Sequence, residues 1–268
     1  MFDTILVQPV INFLVLLYSL VPFHDFGVAV ILLTIAIRLV LWPLQNKTLH
    51  NQKALNKIQP EIKAISEKYK NDPQKVQAMT LELYKEKEVS PFSSCLPSLI
   101  QMPLLFALYY ALIKFRDPSF INLADPSTGL LNYLYGWVHN LGFVQGALSE
   151  SFHTTFFGLI DLSKTSVVLA IIAGAAQFVQ SKLMTPKTQE KEKGQANQMM
   201  NMMLYMFPIM TIFVGISTPG ALPLYWAINA GITALQQYLV MHHDVEELDE
   251  EAIIEIKAEE KQKTKKQK

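Results

Sequence analysis

The sequence predicts an all-α integral membrane protein, with a five-transmembrane-helix core, an N-terminal interfacial helix and a cytoplasmic helical hairpin. Three observations predict it. First, half of the 268 residues are hydrophobic and only 17% are charged, a balance foreign to ordinary soluble domains. Second, the apolar residues collect in five runs, at 28–44, 96–113, 166–183, 199–216 and 222–241. Each is roughly 17–20 residues, enough at about 1.5 Å per residue to span a hydrocarbon core. Third, the net charge of zero hides a segregation: nine Lys or Arg lie in 46–95, four in 182–197 and six in 242–268. Segments 1–27, 114–165 and 217–221 hold only Lys114, Arg116 and Lys164. Basic loops stay cytoplasmic, which places the three basic segments inside and the C-terminus with them.

Residues 1–27 form the first element. Gln8, Asn12 and Ser19 make one polar stripe on an otherwise apolar helix, which suits a helix lying in the external interface. A sixth span is the alternative. No basic n-region or small-residue cleavage site marks a signal peptide. The first span, 28–45, leads into a cytoplasmic segment, 46–95. There Leu55, Ile58, Ile62, Ile65 and Tyr69 recur at alternating three and four, and Val76, Met79 or Thr80, and Leu83 repeat the pattern. Asp72 is a good N-cap and Pro73 a good first helical residue between them, so the segment reads as an antiparallel hairpin with a narrow apolar seam.

The second span is 96–113. Cys95, the only cysteine, has no intrachain disulfide partner and is assigned to packing at the cytoplasmic end of that span. The external segment 114–165 holds turn signals at Asp117-Pro118, Asp125-Pro126 and Thr128-Gly129. Its aromatics Tyr133, Tyr135 and Trp137 mark the membrane interface. The third span, 166–184, is followed by a cytoplasmic loop, 185–198. The fourth, 199–216, carries six of the eleven methionines; plain packing or lipid contact is a better account than an adaptable binding surface. An external turn, 217–221, joins it to the fifth span, 222–241. The tail, 242–268, is acidic and then basic and reads as disordered.

The sequence has no metal-ligand cluster, phosphate loop or nucleophile–base arrangement, so no enzyme activity, metal or cofactor is expected. The five spans contain no Asp or Glu and no internal repeat, which disfavours an ion-coupled carrier. They do contain Arg38, with Thr34, Gln101, Gln177, Gln180, Asn229, Thr233, Gln236 and Gln237. A charge at mid-span costs about 2.5–3.5 kcal/mol on insertion scales. Three accounts of Arg38 stay open: snorkelling to the cytoplasmic interface, a neutralising partner, for which the spans offer no carboxylate, or a water-filled cavity open to the cytosol. The number of uncharged polar groups in the spans favours the cavity.

Residues 90–112, SPFSSCLPSLIQMPLLFALYYAL, resemble the NP-x-GGC-x-P-x-LIQMPIF-x-ALY segment of the YidC/Oxa/Alb membrane insertase family. Further matches follow in family order. Arg38 precedes Trp42-Pro43-Leu44, and Gln59-Pro60 lies in the hairpin. GLIDLS stands at 158–163, then MMLYMFPIMTIF, PGALPLYW at 219–226 and QQYL at 236–239. The match covers nearly the whole chain from about Gln8. Ser93-Ser94 replaces a usual Gly pair, Ser90 an Asn, and Pro219-Gly220-Ala221 a Pro-Ser/Ala-Gly turn. The external stretch looks longer than in compact members, the large periplasmic domain of the Gram-negative type is missing, and the short tail puts ribosome docking in doubt.

The resemblance implies a short bacterial YidC-type insertase and membrane-protein chaperone of the plasma membrane. Its expected partners are nascent membrane-protein clients, lipid, and in some members the Sec translocon or the ribosome. It implies that Arg38 sits in a hydrophilic groove open to cytosol and lipid, lined by the polar residues named above, and attracts acidic client tails. Leu99, Met102, Leu105, Leu224 and Trp226 are the expected contacts for a client's apolar segment sliding out along the second and fifth spans. The alternative from another class is a small-anion channel with Arg38 as its selectivity charge, which would have little use for the hairpin.

Overall fold

A computed structural model describes residues 1–89, 96–123, 129–149, 152–184 and 195–239. Cys95, the turns at 125–128, most of the loop 185–198 and the tail 242–268 lie outside the described residues. The chain begins with a π-helical turn, Asp3–Val7, that continues into α1 (Gln8–Leu20). The stripe of Gln8, Asn12 and Ser19 faces protein rather than water: Asn12 and Ser19 are buried, while Ile5, Phe13 and Leu20 point outward. Asn12 donates to the Tyr133 carbonyl at 2.9 Å and accepts from the Tyr135 N–H at 2.7 Å. Gln8 donates to the same carbonyl at 3.1 Å. A chain folded over α1 offers backbone groups that must find partners, and the stripe supplies them. Asp3–Leu20 is also long and apolar enough to cross a membrane.

The helix α2 (Phe26–Lys68) is 43 residues long, about 64 Å. Asp25 caps it, its Oδ1 accepting from Val28 N at 2.8 Å. It runs through position 45 without a break and holds both Pro43 and Pro60. Polarity changes there, from apolar run to LQNKTLHNQKAL, but these residues include good helix formers, so the backbone has no reason to stop. α3 (Pro73–Glu86) then turns back along α2, with Asp72 Oδ1 accepting from Lys75 N at 3.0 Å. Ile58 and Leu83 are buried, and Lys87 Nζ lies 3.2 Å from Glu61 Oε1.

α4 (Leu96–Lys114) leads to three short helices, α5 (Gly129–Tyr133), α6 (Gly136–His139) and α7 (Gly142–Leu148). They collect at the end of α2 opposite the hairpin. The aromatics there are structural rather than merely interfacial. Phe152 stacks on Tyr18 (ring centroids 4.4 Å apart) and on Phe115 (5.2 Å). Tyr133 meets Phe120 edge-on at 5.4 Å, while Trp137 is 63% exposed. Such pairs add to plain burial.

A two-stranded hairpin, β1 (Thr155–Phe156) and β2 (Ile160–Asp161), seats Phe156 on α2. Gly27 permits this: a Cβ there would collide with the Phe156 ring. Asp25, beyond its capping bond, accepts from Phe157 N. The last helices are α8 (Val167–Met184), α9 (Gln195–Ser217) and α10 (221–239). α8 and α9 pack so closely at Gly174 that a Cβ there would enter Ile212, the small-residue contact by which helices associate in lipid. The segments 158–164 and 219–226 are joined directly: Gly220 N donates to Lys164 O at 2.7 Å and Ala221 N to Leu162 O at 3.1 Å.

Candidate functional site

Arg38 leaves α2 near the middle of its apolar part and is 6% exposed. Its partner is an amide rather than a carboxylate. Nε donates to Asn229 Oδ1 at 2.7 Å, and Nη2 donates to the Asn229 carbonyl at 3.4 Å. Nη1 is buried with no hydrogen-bond partner among the described residues. Thr233, one turn further along α10, donates its hydroxyl to the same carbonyl at 2.8 Å.

A second link shows which way Arg38 reaches. Gln236 Nε2 donates to Asn46 Oδ1 at 2.6 Å. Arg38 to Asn46 is eight residues along α2 and Asn229 to Gln236 is seven along α10. The two helices therefore rise together, and the Arg38 side chain crosses sideways to α10 instead of climbing toward the basic end. Snorkelling is not how this arginine is accommodated.

The other polar residues fall into three places. Thr34 is buried but self-satisfied, donating to Val30 O at 2.7 Å. Gln101 of α4 donates to the hydroxyl of Tyr225, a buried residue one turn before Asn229. Toward the basic end, Gln237 donates to Leu183 O at 2.9 Å. Its Oε1, and that of Gln180 on α8, are buried without partners among the described residues. Gln177 is half-buried on the same helix. Arg38, Asn229 and Thr233 thus form one cluster, with Tyr225–Gln101 on one side of it and Asn46, Gln236 and Gln237 on the other.

Tyr225 and Asn46 are members that sequence reasoning missed. Asn46 directly follows the first span, outside it, and Tyr225 stands in the LYW of 224–226 within the fifth; only Tyr225 was legible as a polar group at a span position.

The residues expected to meet a client's apolar segment are placed differently from one another. Met102 is 47% exposed, Leu105 and Trp226 are half-buried against the core, and Leu224 is 4% exposed within it. The Leu99 side chain lies outside the described residues. Met102 opens an outward row with Phe106 and Tyr110 at spacings of four, a helical stripe whose last two members were not singled out in the sequence.

The sequence pattern of the 60Kd inner membrane protein family matches residues 16–247. A Clostridium tetani protein named membrane protein insertase YidC is 36% identical over 226 residues, covering 83% of this chain and 86% of that one. A Fusobacterium nucleatum protein of the same name is 34% identical over 222 residues, 81% of this chain and 86% of its own. One from Treponema denticola is 34% identical over 226 residues, but these make up only 35% of its length. The chain spans most of the shorter relatives and about a third of the longer one.

Proposed function

The chain belongs to the 60Kd inner membrane protein family, that of the YidC-type insertases, and from that premise we propose how it inserts newly made proteins. The single observation that carries the proposal is the state of Arg38: a buried guanidinium, held by a neutral residue, with one nitrogen left unpaired among the described residues. A polar tail crossing hydrocarbon leaves its backbone groups unsatisfied, at several kcal/mol each. A polar path over part of the distance removes most of that cost. The row from Arg38 to Gln237, about 12 Å along α10 by helix rise, supplies such a path, and its unpartnered Gln180 and Gln237 oxygens await donors.

Arg38 attracts an acidic group in the client's translocating tail, and the attraction ends when the tail leaves. The client's apolar segment passes into lipid along the Met102, Phe106 and Tyr110 row of α4. Its burial, at roughly 25 cal/mol per Å², drives the step without hydrolysis. The basic hairpin faces the cytoplasm, where clients arrive from a ribosome or through a neighbouring translocon. The anion-channel reading is abandoned: the relatives are named insertases, and no observation favours a channel.

The test is insertion into reconstituted vesicles of a client whose external tail carries acidic residues. Arg38→Ala is expected to lower the yield about tenfold and Arg38→Lys to keep part of it. Wild-type yield from both variants would refute the electrostatic role.

A further inference from the structure

We infer that Asn229 is a positioning residue that holds Arg38 without neutralising it, and so leaves a carboxylate-binding edge of the guanidinium unpaired for a client's acidic group to take up. The inference rests on the functional reading above and extends it to a second residue.

A guanidinium carries five N–H donors in a rigid plane. Asn229 occupies the edge formed by Nε and Nη2, the first through its side-chain oxygen and the second through its backbone carbonyl. Two donors on Nη1 and the remaining one on Nη2 are left. These form the other edge, the one that meets a carboxylate with two parallel hydrogen bonds. Both acceptors on Asn229 are uncharged, so the full positive charge remains. Thr233 braces the arrangement by donating to the Asn229 carbonyl, and α10 is tied to α2 again at Gln236–Asn46. The plane of the guanidinium is therefore fixed before a client arrives.

The choice of amide is what the chemistry requires. An aspartate at 229 would bind the same edge more tightly and cancel the charge locally, so that a client carboxylate would meet a neutral pair. An apolar residue would keep the backbone carbonyl for Nη2 but leave Nε unpaired as well, and the side chain would be less firmly held. An amide satisfies the edge, fixes the plane and keeps the charge. The spans contain no Asp or Glu to compete with an incoming carboxylate.

The experiment compares two clients that differ only in the tail, one with two acidic residues and one with none, inserted by full-length protein in vesicles. Native protein, Arg38→Gln, Asn229→Asp and Asn229→Ala are measured side by side, and the readout is the ratio of acidic-tail to neutral-tail insertion. Asn229→Asp is expected to lower the ratio about tenfold, to the Arg38→Gln level, with the neutral client within about twofold of native. Asn229→Ala, which loosens the guanidinium but keeps its charge, is expected to lower the ratio about threefold. A native ratio from both Asn229 variants, with Arg38→Gln impaired, overturns the inference while leaving the role of Arg38 standing. Equal losses for both clients, with the ratio unchanged, mean a purely structural residue and also overturn it. A native ratio from Arg38→Gln removes the functional reading itself, and this inference with it.

Discussion

Replacing Arg38 by Met and Asn229 by Leu together is expected to make the protein more stable while abolishing its charge-dependent work. A buried arginine costs about 2.5–3.5 kcal/mol at the centre of a spanning helix. Here two neutral hydrogen bonds offset part of that, and the unpaired Nη1 offsets none. Arg38→Met alone removes the charge but strands the Asn229 oxygen in a protein interior, a loss of about 1–3 kcal/mol. The single variant therefore comes out near neutral. Changing Asn229 to Leu at the same time removes the stranded group and fills the space with apolar atoms, the exchange that often stabilises buried ionic sites. The double variant should gain about 2–3 kcal/mol, or on the order of 5–10 °C in Tm. Thermal unfolding of purified protein in nanodiscs measures it, with acidic-tail insertion assayed on the same preparations. A double variant that melts at or below the native temperature would refute the reasoning, because Arg38 would then be a net contributor to stability. The expected result is a site kept against the interest of stability.

Two further outcomes concern the end opposite the hairpin. Asn12→Leu strands the Tyr135 N–H and loses two bonds that tie α1 to the chain over it, at about 1–3 kcal/mol; limited proteolysis of the segment holding α5–α7 should quicken, and an unchanged rate would mean these bonds carry no weight. Asp161 accepts from Thr154 at 2.9 Å, from the Ser163 hydroxyl at 2.6 Å and backbone at 3.1 Å, with Lys164 at 3.2 Å. Burial alone would raise its pKa, but the hydrogen bonds from Ser163, Thr154 and Lys164 outweigh it and hold the carboxyl below its ordinary value. Its contribution to stability is therefore full above the unfolded value of about 3.9 and lost as pH falls through the folded one. Melting temperature should drop in that acid range for native protein and less steeply for Asp161→Asn; equal slopes would assign the acid sensitivity elsewhere.

What could be read from the chain follows the range over which each force acts. Capping is local, so Asp72 and Pro73 announce α3 in the sequence alone. Apolar runs are local too, and most of the long helices carry one. The continuity of α2 through position 46 is hidden because a change of polarity marks a change of surroundings, whereas helix propensity decides whether the backbone stops. The partner of Arg38 was hidden for a different reason. Asn229 lies 191 residues away, and nothing in its immediate surroundings distinguishes it from Thr233 or Gln237. The inward turn of the Gln8, Asn12 and Ser19 stripe is of the same kind: a polar stripe says that polar partners exist, not whether they are water or the backbone at Tyr133–Tyr135.

Pro43 gives α2 a mechanical character its secondary structure conceals. A proline at that position removes the hydrogen bond to the Leu39 carbonyl, so the rod is weakened just beyond Arg38, on the side of the hairpin, as it is again at Pro60. Upstream of that point α2 is clamped, by Phe156 seated at Gly27 and by Asn229 at Arg38. Downstream it is tied to α10 once more, Asn46 to Gln236, and beyond that tie it carries an arm of about 33 Å, from Asn46 to Lys68 by helix rise. Under the proposed function, swinging of that arm is to be taken up at Pro60, beyond the Asn46 tie, rather than at the guanidinium. On that reading, the part proposed to meet arriving chains can move while the part proposed to read their charge stays still.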